Sequence, residues 1–71
     1  MSYADDRRKV LAALTKLGCL IDQELEGITG LTGNSLRYRR HELIKLGKVA
    51  LYPGKRKTRA GRPAQLWRVV A

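Results

Sequence analysis

Apolar residues recur at intervals of three and four through the first two thirds of the chain, and at intervals of two near its end. From Asp5 to Leu17, the residues Val10, Leu11, Leu14 and Leu17 share one helical face, Asp5 and Asp6 fall in the first turn, and Gly18 can close the helix. Cys19-Leu20-Ile21 is too short for a helix and too apolar for an exposed loop, so it reads as a brief extended segment leading to Asp22, the candidate N-cap of a second helix. That helix covers about 22–29, with Ile21, Leu25 and Ile28 on one face, Gly30 at its end and Gly27 inside it. Leu31 fills the turn, Thr32 offers an N-cap hydroxyl, and a third helix runs over about 33–46, with Leu36, Leu43 and Ile44 as its inward stripe and Gly47 as its stop.

After Gly47 the period changes. Lys48-Val49-Ala50-Leu51-Tyr52 alternates, as does Gln65-Leu66-Trp67-Arg68-Val69, which places two strands at about 48–52 and 64–70. Between them the segment from Pro53 to Pro63 has turn formers at both ends and Lys55, Arg56, Lys57, Arg59 and Arg62 inside, so a long hairpin loop is expected there. The fold class that follows is α+β, three helices and then a two-stranded β-hairpin, as one domain spanning 1–71.

Length agrees with that reading, since 71 residues allow one small core and make a deep catalytic cleft implausible. The single Cys19 cannot close an internal disulfide, and Cys19 with His41 cannot assemble a structural zinc site. No carboxylate pair, nucleophile triad or phosphate-cradling loop stands out. The expectation is therefore a non-enzyme without cofactor or metal. No long apolar stretch suggests a membrane, and the first residues lack the features of a signal peptide, so the expected setting is the cytoplasm, in association with the nucleoid.

Charge changes the picture most. The chain carries 15 Lys and Arg against 6 Asp and Glu, for a net charge of +9. Residues 1–33 hold 4 basic and 5 acidic residues, whereas residues 34–71 hold 11 basic residues and the single acid Glu42. Nearly all the excess thus sits on the third helix and the hairpin. Solubility alone is served by mixed signs, so a surface of one sign is the footprint expected of a polyanion-binding protein.

Two helices joined by a tight glycine-containing turn and followed by a hairpin have the order of a helix-turn-helix with a wing. The stretch Asp22-Gln23-Glu24-Leu25-Glu26-Gly27-Ile28-Thr29-Gly30-Leu31-Thr32-Gly33-Asn34-Ser35-Leu36, the exit Glu42-Leu43-Ile44-Lys45-Leu46-Gly47-Lys48-Val49 and the ending Thr58-Arg59-Ala60-Gly61-Arg62-Pro63-Ala64-Gln65-Leu66-Trp67-Arg68-Val69 resemble the winged helix-turn-helix family of small bacterial and phage DNA-binding regulators. The resemblance implies sequence-specific binding of double-stranded DNA, with the third helix in the major groove and a basic wing on the backbone or minor groove.

With Leu36, Leu43 and Ile44 inward, Asn34, Ser35, Arg37, Tyr38 and His41 lie on the outer face and are the candidates for reading bases. Arg37 suits guanine, Asn34 suits adenine, and Ser35 suits either a base or a phosphate. Tyr38 can stack on a sugar, donate to a phosphate or cover the wing. His41 reads as a neutral surface residue. Candidates for backbone or minor-groove contact are Arg39, Arg40, Lys55, Arg56, Lys57, Arg59 and Arg62, with Gly61-Arg62-Pro63 similar to minor-groove hooks.

Arg40 departs from the family, which places an apolar residue there. Either its stem packs while the guanidinium pairs with Glu24, Glu26 or Glu42, or it leans out to a phosphate. Trp67 is expected in the core, anchoring the wing. Domains that bind left-handed duplexes use an Asn and a Tyr four residues apart with a wing Trp. Asn34, Tyr38 and Trp67 fit superficially, but counting back from Gly47-Lys48 puts those helix positions on Arg37 and His41, and that reading is set aside.

Three other functions stay open. An excisionase-like recombination accessory protein would use the same surface to bend DNA, and RNA or nonspecific duplex binding needs no base reading. A phage-type protein-binding winged helix would set the basic surface against an acidic face of a host enzyme. A homodimer would need the first helix or the wing as its interface.

Overall fold

The computed structural model describes residues 3–70. Its elements run α1 (Tyr3–Leu17), α2 (Asp22–Thr29), α3 (Gly33–Lys45), β1 (Val49–Lys57) and β2 (Pro63–Val69). The two strands pair antiparallel, giving three helices followed by a hairpin, the winged helix-turn-helix arrangement.

The core lies where the apolar stripes of the three helices converge on the base of the hairpin. Val10 and Leu14 from α1, Leu25 from α2, Leu36 and Leu43 from α3, and Val49 from β1 are almost wholly removed from water. Burying each such side chain contributes about 1.5–3 kcal/mol, which is how a small domain without a disulfide holds together. Leu20 closes one side as a single bridge to Trp67, its N–H donating to Trp67 O at 3.1 Å and its carbonyl accepting from Trp67 N–H at 2.9 Å. The short extended segment between α1 and α2 thus covers the free side of β2.

The turn between α2 and α3 is three residues long. Gly30 takes the left-handed conformation, φ 75°, that a side chain would disfavour, and its N–H donates to Glu26 O at 3.0 Å. Thr29 Oγ1 donates to Leu25 O and accepts from Leu31 N–H, and Thr32 Oγ1 caps α3 by accepting from Ser35 N–H at 3.3 Å. At the start of α2 the structure corrects the expected cap. Ile21, not Asp22, is the N-cap residue, and its N–H donates to Glu24 Oε1 at 3.0 Å. Asp22 falls in the first helical turn instead, where its charge suits the helix dipole and its side chain can reach another element.

The hairpin differs from the expected long loop. β1 continues through Lys55, Arg56 and Lys57, which oppose Gln65, Ala64 and Pro63, and the register shifts between Tyr52 and Lys55. Pro53 and Gly54 occupy that irregularity; Gly54, at φ 114°, has a backbone conformation that few side chains tolerate. Proline is admissible because β1 is an edge strand that needs no donor on its outer side. The turn shrinks to residues 58–62, where Thr58 N–H donates to Arg62 O at 2.7 Å and Thr58 Oγ1 accepts from Arg62 N–H.

Two apolar positions assigned to inner faces are also corrected. Leu17 and Ile28 are 54% and 49% exposed, because they line open grooves along α1 and α2 that no other element fills among the described residues. Gly27 stands beside them in α2, where glycine costs about 1 kcal/mol relative to alanine, yet a Cβ there would meet nothing within 4 Å.

Candidate nucleic-acid interface

The exposed side of α3 is built by its period. Asn34, Arg37, Tyr38, His41 and Lys45 are all exposed and recur at helical spacing, forming one stripe from the capped N-terminus to the last turn. Tyr38 is 65% exposed, so it covers no part of the wing. Ser35 is half-buried, with its backbone N–H held by Thr32.

Arg39 and Arg40 are not on this stripe. They are 8% and 7% exposed and point inward between Leu36 and Leu43, which corrects their assignment as backbone contacts. Arg40 stacks 4.3 Å above the Trp67 ring and donates from Nη1 to Asp22 Oδ2 at 2.5 Å. Its partner is thus neither Glu24, Glu26 nor Glu42, since the first turn of α2 brings Asp22 against the middle of α3. Arg39 stacks 3.8 Å above the Tyr3 ring, and its Nε lies 2.6 Å from Glu42 Oε1. Arg7 donates to the same oxygen at 3.1 Å and ties α1 to α3. For Glu42, desolvation raises the pKa, but the Arg7 hydrogen bond together with the charge and contact of Arg39 outweighs it and holds the carboxyl below its usual value.

The wing is pinned to α2 in two places. Arg56 Nη1 lies 2.8 Å from both carboxylate oxygens of Glu24, and Arg59 N–H donates to Gln23 Oε1 at 2.8 Å. Glu24 therefore orders the start of α2 and anchors β1 at once. Arg56, 48% exposed at its side chain, is part of the scaffold as well as of the surface.

These pairs sort the charge. The acids Asp22, Glu24 and Glu42 engage Arg40, Arg56 and the pair Arg7 and Arg39. Among the described residues, Arg37, Lys45, Lys48, Lys55, Lys57, Arg59, Arg62 and Arg68 are exposed and have no acidic partner. All of these lie on α3, the turn after it or the hairpin, and only Lys9 and Lys16 on α1 are likewise exposed and unpaired among the described residues. Lys45, Lys48 and Arg68 were not among the residues expected from sequence, although Lys45 continues the Arg37–His41 period and Arg68 alternates with Trp67.

Gly61-Arg62-Pro63 does not form an open loop. Gly61, with positive φ, and Arg62 close the five-residue tip, and Pro63 begins β2. Arg62 is exposed there. Trp67 is half-buried under Arg40 at the base of the hairpin. Among the described residues no group of three potential metal ligands gathers, and no helix is long and apolar enough to cross a membrane.

No protein-family model matches the chain, and no curated protein matches it in sequence. Among solved structures it is similar to the Zalpha domain from Carassius auratus PKZ, determined in complex with Z-DNA. The TM-score is 0.77 and the identity 14%, over 99% of this chain and 100% of that one. At that identity the likeness establishes the winged helix-turn-helix fold.

Proposed function

We propose that this domain binds double-stranded DNA in a sequence-specific manner, as a small transcriptional regulator. The α3 stripe enters the major groove, where Asn34, Arg37, Tyr38 and His41 face base edges. The wing cations Lys55, Lys57, Arg59 and Arg62 lie along the neighbouring backbone or minor groove, and Lys45, Lys48 and Arg68 add phosphate contacts at the margin. Arg39 and Arg40 hold α3 in place and make no DNA contact. The observation that carries this reading is the sorting of charge: internal acids engage the buried and wing-anchoring arginines, and, apart from Lys9 and Lys16 on α1, the exposed cations without an acidic partner among the described residues are left on α3, the turn after it and the hairpin. Selection of bound sites from a random duplex library tests it. An enriched motif is expected, and a palindromic one would indicate a homodimer. Retention of DNA without any enriched motif would reduce the protein to a nonspecific or architectural binder.

A second reading rests on the solved domain that was crystallised with Z-DNA and is similar over the whole chain. Here the domain would recognise the shape of a left-handed duplex, with Arg37 and His41 at the helix positions nearest it. Circular dichroism of an alternating CG duplex separates the two. The sequence-reading proposal expects the right-handed spectrum to persist on saturation, and inversion of the spectrum would replace it with shape recognition.

A further inference from the structure

Away from the α3 stripe, two shallow grooves meet at the exposed side chains of Leu17 and Ile28. One runs along α1 past Ala12 between Lys9 and Lys16, and the other runs along α2 past Gly27 to Arg59 at the wing tip. The floor is apolar, with Leu17, Leu20 and Ile28 beside the small residues Ala12, Ala13 and Gly27, and no other helix covers it among the described residues.

Two independent features say what fits it. The rim cations Lys9, Lys16 and Arg59 have no acidic partner among the described residues, and the one acid in the lining, Glu24, is held by Arg56. The rim therefore favours a negatively charged occupant, and a second copy of this chain would bring its own net charge of +9 against it. Gly27 is the other feature. It weakens α2, has no neighbour of its own that needs the space, and leaves an open path for a foreign backbone or side chain at the centre of the groove.

We infer that this groove is a docking site for an acidic amphipathic helix of a partner protein, whose apolar residues seat on Leu17, Ile28 and Ala12 while its carboxylates face Lys9, Lys16 and Arg59. The site shares only Arg59 with the DNA surface, so a partner can be bound while α3 occupies a duplex.

The probe is a pair of synthetic helical peptides with identical leucine spacing, one carrying glutamate and the other lysine at the remaining positions, titrated into ¹⁵N-labelled protein without DNA. The glutamate peptide should shift the amides of Ala12, Lys16, Leu17, Gly27 and Ile28 saturably and leave Asn34, Tyr38 and His41 unmoved, and the lysine peptide should do neither. Lys9→Glu with Lys16→Glu should weaken the acidic peptide about tenfold. Gly27→Ala should raise the thermal midpoint by about 4–8 °C yet weaken the peptide at least about fivefold. Absence of saturable shifts would overturn the proposal. So would shifts confined to α3 and the wing, where the peptide would be acting as a mere polyanion, or concentration-dependent shifts of the groove residues without peptide, which would make a second copy the occupant. The readout contains no DNA, so its failure is distinct from failure of the DNA-binding proposal.

Discussion

Replacing Arg40 by alanine should separate a structural arginine from a DNA-contacting one. The side chain is 7% exposed, lies 4.3 Å above Trp67 and donates to Asp22, whose own side chain remains 42% exposed. Truncation removes a desolvated cation–π contact and the packing of the stem, and it breaks a charged hydrogen bond. Asp22 then regains water, which limits the loss to about 2–4 kcal/mol. For a domain of this size each kcal/mol moves the midpoint by about 4–8 °C, so Tm should fall by at least about 8 °C. Asp22→Ala alone should cost less, and the double variant should be short of additivity by about 1–3 kcal/mol because both changes break the same pair. Thermal unfolding followed by far-ultraviolet circular dichroism measures all four proteins. If Arg40→Ala stayed within about 0.5 kcal/mol of the parent while losing DNA affinity, the arginine would belong to the interface and the buried pairing would be refuted.

Three further outcomes follow from the same contacts. Arg37→Ala should lower discrimination between selected and random duplexes by about 1–3 kcal/mol, whereas Lys57→Ala should weaken both alike and reduce the salt slope by about 1; competition binding distinguishes the two patterns. Because Glu42 titrates below its ordinary value of 4.5 in the folded chain, its contribution is present above that pH and is lost as pH falls through the lowered folded value. Urea unfolding should therefore show stability declining below about pH 4.5, and less steeply in Glu42→Gln. Gln23→Ala should release the Arg59 amide, seen as faster hydrogen exchange at the wing tip with unchanged protection in the core.

Periodicity made the helices and the turn legible, since Gly30, Thr32 and the Leu36–Leu43 spacing each act locally. The wing was harder to read. Pro53-Gly54 and the charges after it look like the start of a loop, but an exposed edge strand needs neither an apolar alternation nor a donor on its outer side, so β1 resumes at Lys55. The burial of Arg39 and Arg40 was partly visible, because both stand three or four residues from Leu36 and Leu43. Their partners were not. Asp22 reaches Arg40 and Tyr3 covers Arg39 only through the tertiary packing of α2 and α1 on α3. The same packing leaves Leu17 and Ile28 uncovered, which a helical stripe taken alone cannot register.

In the proposed function the unpaired cations of α3 and the hairpin form a single DNA-binding surface. The salt dependence of duplex affinity between about 50 and 200 mM tests it most directly, because each neutralised phosphate adds about −0.9 to the slope of log K against log salt. If five to eight of these side chains reach phosphates, as expected for one continuous surface, the slope is about −4.5 to −7. A slope shallower than about −2, or no duplex binding at about 50 mM salt, would contradict it.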